Sequence, residues 1–243
     1  MITFITALFD GEKLRIPHST KIYDGTWVDK LYRGIQRYYD GNFELVCLVD
    51  REYDDIKEPV RQIKFLEMGR GWICIIEKYR PDITWGKRFT LGLDTVITGD
   101  LNKICSFEKP MGMISDPLEY NKVCNGITIA SKKASNNIWD IWENNKEWVY
   151  KNFTMFDNVP SEMLLLRKLF DYNGQCPRLD KIYPNTIVSY KCQYVPYIEK
   201  CNFEDVDYLE KIKNISIVYF HGNPKPNDLK NIEINKKILE NWI

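Results

Sequence analysis

The chain has 243 residues and a mass of 28.9 kDa, which fits one large domain or two small ones. Hydrophobic residues make up 44% and charged residues 28%, so a disordered, collagen-like or coiled-coil chain is excluded. Lysine plus arginine equals aspartate plus glutamate at 34 each. A chain with no net charge has no overall electrostatic field that would draw it to nucleic acid or to an anionic membrane, and neither partner is expected. The composition leaves open only a local basic patch.

The apolar runs and the cysteines bear on the compartment. No stretch approaches the roughly 20 apolar residues that span a bilayer. Residues 1–8 are apolar, but they run into Asp10 without a basic leader, so a signal peptide is not expected. The seven cysteines are widely spaced and include no Cys-x-x-Cys pair. We therefore expect reduced thiols, no zinc site and a cytoplasmic location.

Short apolar runs alternate with helical patterns along the chain, which predicts an α/β fold with a largely parallel sheet. The predicted strands are 2–8, 43–49, 63–66, 88–93, 113–115, 126–130, 187–190 and 215–220. The predicted helices are 26–39, 136–150, 161–170 and a C-terminal helix at about 229–242, capped by Asn227 or Asp228.

The segment 91–100 reads Leu-Gly-Leu-Asp-Thr-Val-Ile-Thr-Gly-Asp and places Asp94 at the end of a predicted strand. Ligands of open α/β sheets bind beyond the carboxyl ends of the strands. A carboxylate at that position can hold a divalent cation, and the cation could bridge two phosphates of a nucleotide. The spacing leaves open a second interpretation, in which Asp94 only caps a turn.

The segment 218–226 reads Val-Tyr-Phe-His-Gly-Asn-Pro-Lys-Pro. Gly222 allows the backbone to approach a ligand closely, and the flanking prolines limit where Lys225 can point. A fixed ammonium suits a diphosphate, and the imidazole of His221 can complete a metal shell. The alternative is a proline-rich surface turn that contains a chance histidine.

These two segments resemble motifs of GT-A fold nucleotide-sugar glycosyltransferases. The resemblance is strongest to the family-eight enzymes (glycogenin-like and lipopolysaccharide galactosyltransferase-like) and to related viral and bacterial transferases. Those families carry an Asp-x-Asp strand end and a late loop with His, Gly and Lys-Pro. Further similar segments follow in order at 21–32, 46–50, 71–72, 125–126 and 187–191. The resemblance implies one GT-A domain over residues 1–243, with a Rossmann-like, mostly parallel sheet flanked by helices.

The resemblance also implies an activity. It predicts transfer of a sugar from a nucleoside diphosphate sugar, UDP in preference to GDP, to a hydroxyl of a glycan or glycoconjugate, with retention and with Mn²⁺ or Mg²⁺. Asp94 and His221 would hold the metal. Glu162, at a helix start where an acid is also favoured by the helix dipole, would join Asp94 as a catalytic residue. Asn125 and Gly126 would face the acceptor.

Nucleotide binding is expected near the first strand. Tyr23 would stack on the base or, alternatively, pack before the following helix, and Arg70 would reach phosphate or remain solvated. The residues expected to bind the nucleotide are Thr6, Ala7, Tyr23, Arg70, Gly222 and Lys225.

The chain departs from the family pattern at several positions. Gly92 stands where the first Asp of the pair is usual, Ile75 lies near the place of a common lysine, and Tyr219 occupies the usual histidine position. A carboxylate from elsewhere could substitute. The candidates are Asp10, Asp100 and Asp116.

These departures leave a second function open, a catalytically degenerate GT-A protein that binds a nucleotide sugar or carbohydrate without turnover. A nucleotidyltransferase ranks lower, because it would normally carry a glycine-rich, basic loop after the first strand, and residues 9–15 contain a single glycine. The sequence identifies neither a catalytic base nor an oligomeric state.

Overall fold

The computed structural model describes residues 1–11, 23–67, 71–155, 158–196 and 212–243. Its main sheet has six strands in the order β3-β2-β1-β4-β7-β6. A smaller sheet has the order β5-β9-β8. The strands are β1 (Ile2–Leu8), β2 (Phe43–Val49), β3 (Arg61–Lys64), β4 (Lys87–Leu91), β5 (Thr95–Ile97), β6 (Met111–Ser115), β7 (Val123–Ala130), β8 (Ile187–Ser189) and β9 (Ile217–Tyr219).

The main sheet confirms the predicted α/β architecture. The pairs β1–β2, β2–β3 and β1–β4 are parallel, and β7 runs antiparallel to both of its neighbours. All eight predicted strands are present, two with the predicted ends (2–8 and 43–49) and six with shifted ends. The ninth, β5, was not predicted, because its three residues are too few to show a period of two.

The helices are α1 (Gly25–Tyr38), α2 (Asn102–Cys105), α3 (Lys132–Asn144), α4 (Lys146–Asn152), α5 (Glu162–Phe170), α6 (Leu179–Ile182) and α7 (Lys236–Asn241). A 3₁₀ helix covers Gly71–Tyr79, and a single π turn covers Tyr190–Tyr194. No helix of the described residues is long and apolar enough to cross a membrane.

Two predicted helices differ from the structure. The segment predicted as one helix at 136–150 is two helices, α3 and α4, separated at Asn145, whose backbone leaves the helical region. The predicted helix at 229–242 is confined to α7. Asp228 does not cap it, because its Oδ2 accepts from the backbone N–H of Lys225 at 2.8 Å. Asn227 instead accepts from Trp242 Nε1 at 2.6 Å.

The helix α1 forms where the sequence predicts it. The Asp24 carboxylate accepts from the backbone N–H of Thr26 at 3.0 Å and caps the first turn. The side chains of Trp27, Leu31 and Ile35 recur at helical spacing and are buried against the sheet.

The position of β1 determines where a ligand can bind. Its ladder with β2 continues to Leu8, whereas its ladder with β4 ends at Ile5, opposite Thr90. The chain passes from β1 to β2 and β3 on one side, and β4 pairs on the other. This is a topological switch point, where the crevice beyond the carboxyl ends of the strands accepts ligands in open α/β sheets.

The core beneath β1 is aromatic. The Phe4 ring is stacked on Phe89 with centroids 5.3 Å apart and meets Phe43 and Tyr39 edge to face. Phe4 is fully buried. These contacts join β1, β2, β4 and the end of α1. The assignment of residues 1–243 to one domain stays a prediction.

We expect Phe4→Ala to lower the free energy of unfolding by about 3–5 kcal/mol, because it leaves a cavity among packed rings. Urea denaturation followed by circular dichroism measures the loss. Leu118→Ala is the matched control, since Leu118 is 75% exposed and its truncation should cost less than about 0.5 kcal/mol. Equal losses in the two variants would contradict the described core.

Candidate functional site

The two segments singled out in the sequence meet at one edge of the main sheet. Asp94 lies between β4 and β5, and its carbonyl accepts from the backbone N–H of Phe220 at 3.0 Å. β5 and β9 pair antiparallel with Thr95 opposite Tyr219. Because β9 ends at Tyr219, His221 and the following loop begin beside Asp94.

The Asp94 carboxylate is an ion-pair partner of Lys225. The Lys225 ammonium contacts Asp94 Oδ2, and the hydroxyl of Tyr23 donates to the same oxygen at 3.2 Å. The side chains are only 12% exposed for Lys225 and 20% for Asp94. Burial, and then the charge of Asp94 and its hydrogen bond, raise the pKa of Tyr23, so the phenol keeps the proton that it donates.

Tyr23 also packs edge to face on Trp27 of α1, with ring centroids 4.9 Å apart, and Lys225 Nζ lies 5.7 Å from the Tyr23 ring centroid. The packing interpretation of Tyr23 is therefore realised. Its stacking on a nucleotide base stays a prediction.

The loop that carries Lys225 is constrained on both sides. Pro224 and Pro226 flank it, and Asp228 accepts from its backbone N–H. Gly222 has φ of +62°, a conformation that L side chains rarely adopt. A Cβ at Gly222 would lie 3.2 Å from Lys191 Nζ, so a second ammonium borders this loop.

His221 contacts neighbouring side chains through both ring nitrogens. Nδ1 lies 3.2 Å from Ser189 Oγ, and Nε2 lies 3.6 Å from Cys192 Sγ. Burial, followed by the charge of Lys191, lowers the pKa of His221, so the imidazole is neutral at pH 7. Its nitrogens face a hydroxyl and a thiol.

A second polar cluster forms around Glu162, the first residue of α5. Lys78 Nζ lies 3.2 Å from Glu162 Oε1, and the side-chain amide of Asn125 donates to the same oxygen. The Lys78 and Glu162 side chains are 2% and 3% exposed. A buried ion pair is costly to desolvate, so each charge depends on its partner.

The 3₁₀ helix brings Lys78 to this position. The backbone N–H of Ile73 donates to Pro160 O at 3.0 Å, just before α5 begins. Gly71, at φ +70°, allows this approach, because a Cβ there would meet Val159 Cγ1 at 2.4 Å.

Sequence reasoning missed Lys78. It placed the common lysine position near Ile75, whereas the buried lysine lies three residues further on. In a 3₁₀ helix, residues three apart lie on the same edge. The signal that would have found Lys78 was the lysine itself, within an otherwise apolar segment that begins at Gly71 and Trp72.

An irregularity in the β6–β7 ladder brings the cluster around Asp94 close to the cluster around Glu162. The register shifts between Met113 and Ile114, which leaves Asn125, Gly126 and Ile127 of β7 without partners on β6. Bulges of this kind redirect side chains. Asn125 consequently reaches Glu162, and the carbonyl of Gly126 accepts from the backbone N–H of Gly92 at 3.0 Å.

The donor set at Asp94 does not fit a divalent cation well. No group of three or more His, Cys, Asp or Glu that could hold a metal is present in the part of the chain described. Gly92 contributes no carboxylate, and a Cβ there would lie 3.0 Å from Asp94 Oδ1. Tyr219 is a buried phenol whose pKa is raised, chiefly by burial. Asp94 and His221 remain as the pair predicted to hold the ion.

The substitute carboxylates differ in position. Asn102 joins Asp100 to Asp40 through its side-chain amide, at the C-terminal end of α1. Asp94 contacts Tyr23 at the other end of this 14-residue helix, about 21 Å long. Asp100 is therefore remote.

Asp116 is engaged by Arg167 Nη2 at 2.7 Å. Asp10 follows β1 at the same edge of the sheet as Asp94.

The remaining predicted residues have mixed outcomes. Thr6 and Ala7 lie on β1 beyond its ladder with β4, and the buried Thr6 Oγ1 has no hydrogen-bond partner among described residues. This position fits a nucleotide cradle, which stays a prediction. Arg70 lies outside the described residues.

The fold is similar to that of solved glycosyltransferases. The galactosyltransferase LgtC, in complex with donor and acceptor sugar analogues, has a TM-score of 0.61 and 13% identity over 99% of this chain and 95% of that chain. GlyE of Streptococcus pneumoniae TIGR4 has a TM-score of 0.62 and 13% identity over 100% of this chain and 61% of that chain.

A glycosyltransferase involved in glycosylation of the major capsid of PBCV-1 gives a TM-score of 0.50 and 13% identity over 100% of this chain and 99% of that chain. Comparison with protein-family models and with curated proteins gives no match. The GT-A resemblance predicted from sequence is confirmed at the level of the fold.

We expect Lys78→Met to destabilise the protein by about 3–5 kcal/mol, because it leaves Glu162 buried without its counter-ion. The double variant Lys78→Met/Glu162→Leu should recover most of that loss. A double-mutant cycle from urea denaturation measures the coupling. Lys122→Met, in the exposed pair with Glu119, should cost less than about 1 kcal/mol. Additive losses at Lys78 and Glu162 would refute the buried pair.

Proposed function

We propose that this protein is a glycosyltransferase that moves a sugar from a nucleoside diphosphate sugar, UDP in preference to GDP, to a hydroxyl of a glycan or glycoconjugate. The observation that carries the proposal is the convergence of Asp94 and Lys225 at the switch-point crevice of a fold shared with glycosyltransferases. LgtC, crystallised with donor and acceptor sugar analogues, supports the same pair of substrates here.

In the proposed reaction, the bond between the anomeric carbon and a diphosphate oxygen breaks, and its electron pair remains on the diphosphate. The acceptor oxygen forms the new bond to the anomeric carbon. In the retaining form that the resemblance implies, an oxygen of the leaving diphosphate takes the acceptor's proton. Negative charge develops on the diphosphate, so preorganised cations beside it supply the main electrostatic stabilisation.

The residues divide into two groups around the donor. Lys225, which is paired with Asp94, would face the diphosphate. Glu162, which is paired with Lys78, and Asn125, which donates to Glu162, would orient hydroxyls of the donor sugar or the acceptor. Gly92 and Gly126 are joined by a backbone hydrogen bond, and their lack of side chains would leave space for the sugar.

The sequence also predicts Mn²⁺ or Mg²⁺ at Asp94 and His221, and this requirement stays a prediction. A divalent ion at that position would supply Lewis-acid stabilisation of the diphosphate. The residues themselves would bind the diphosphate and orient the sugar.

A second candidate function is a degenerate GT-A protein that binds a nucleotide sugar without turnover. Gly92 in place of a carboxylate favours it, because an Asp-x-Asp pair is incomplete here. The two functions share the crevice and differ only in whether the glycosidic bond to the diphosphate is broken.

We expect UDP-sugars, screened by thermal shift, to stabilise the protein, and release of UDP from one of them to be detectable by mass spectrometry. Asp94→Asn should lower that turnover about 100-fold or more, because the Lys225 ammonium loses its anchor. Asp100→Asn, remote from the crevice, is the matched control and should retain turnover. Binding without release would establish the degenerate function, and failure of every nucleotide sugar to bind would refute both.

A further inference from the structure

The positive charge at Asp94 comes from a side chain of the protein. Lys225 contacts Asp94 Oδ2, and the Tyr23 hydroxyl donates to that same oxygen. A cation that bound Oδ2 would have to displace the ammonium from that oxygen. The position two residues before Asp94 on the strand is Gly92, so no second carboxylate from this motif is present to compensate for that displacement.

The balance of charges at Asp94 also disfavours a divalent cation. In an Asp-x-Asp site, the two carboxylates and the divalent ion together are neutral. Here Gly92 removes one carboxylate, and the remaining carboxylate of Asp94 is neutralised by the single charge of Lys225. Adding a divalent ion to this largely buried pair would leave two uncompensated positive charges, which is costly where the charges are poorly solvated. With Gly92 in place of a carboxylate, the charge of Lys225 alone is therefore enough to balance Asp94.

The Lys225 ammonium is also prepared to bind an anion. An ammonium has three N–H donors, so donors remain for phosphate oxygens when one is used by Asp94. The flanking prolines and the hydrogen bond from its backbone N–H to Asp228 restrict the loop before any ligand binds. Lys191, which borders Gly222 and is exposed, offers a second ammonium on the same side.

We propose that Lys225, anchored by Asp94, takes the place of the divalent cation, so that diphosphate binding and sugar transfer proceed without a metal ion. The inference deepens the proposed function and rests on it. Lys225 touches the diphosphate in this scheme. Asp94 and Tyr23 are positioning residues that hold the ammonium at the leaving group.

The test is calorimetric titration of UDP, and in parallel GDP, into the full chain after dialysis against EDTA, with residual metal quantified by plasma mass spectrometry. The titration is repeated with excess Mn²⁺ or Mg²⁺. We expect the Kd in EDTA to lie within about threefold of the Kd with either ion. The measurement uses the unmodified protein, so folding of a variant does not limit it.

The outcomes separate this inference from the proposed function. UDP or GDP binding that requires Mn²⁺ or Mg²⁺ overturns the role of Lys225 and leaves the glycosyltransferase proposal standing. No binding of either nucleotide, with or without metal, overturns both.

Variants at Lys225 then test whether its ammonium binds the diphosphate. In EDTA, Lys225→Met should weaken UDP binding at least about tenfold, while Lys225→Arg should retain most of the affinity because it keeps the charge. Lys230→Met is the matched control, since Lys230 is exposed and the same charge is lost outside the crevice. Circular dichroism confirms folding. Unchanged affinity in folded Lys225→Met, or an equal loss in Lys230→Met, would overturn the inference.

Discussion

The backbone pairing of β5 with β9 is the constraint on which the candidate site depends. Three residues on each strand pair across more than a hundred positions of sequence. The hydrogen bond from Phe220 to the Asp94 carbonyl extends that pairing to the motif itself. Without it, the acid after β4 and the lysine loop after β9 would belong to separate parts of the chain. With it, a carboxylate and an ammonium meet at the switch point of the main sheet.

Two ion pairs of different exposure lie at the candidate site. At one side, Asp94 and Lys225 form a largely buried pair whose side chains keep 20% and 12% exposure. At the other, Lys78 and Glu162 form a buried pair whose charges are already satisfied. The remaining exposure of the first pair is what the proposed anion binding requires, whereas the second pair is suited to holding Asn125 in a single orientation. Both pairs neutralise charge within the protein, in agreement with a chain whose overall charge is zero.

In the proposed metal-free scheme, the Asp-x-Asp motif has changed while its physical role is kept. Glycine in place of a carboxylate removes negative charge, and the Lys225 ammonium would supply positive charge without an ion. The pattern of residues is altered, but a cation still faces the place where a diphosphate would lie. The same reasoning applies to Lys78, which lies one 3₁₀ turn beyond the expected lysine position and still reaches the helix start at Glu162.

The sequence by itself determined the α/β class, eight of the nine described strands and the two segments that lie at strand ends, because hydrophobic periodicity and turn residues are local properties. It also predicted Asp94, Lys225, Glu162 and Asn125 as site residues, and these roles stay predictions. It did not show their partners, and it overextended the C-terminal helix. Lys225 and Asp94 are 131 positions apart, and Lys78 and Glu162 are 84 apart. Only the tertiary structure decided these pairs, because strand pairing, the β7 irregularity and the 3₁₀ turn set distances that local patterns do not encode.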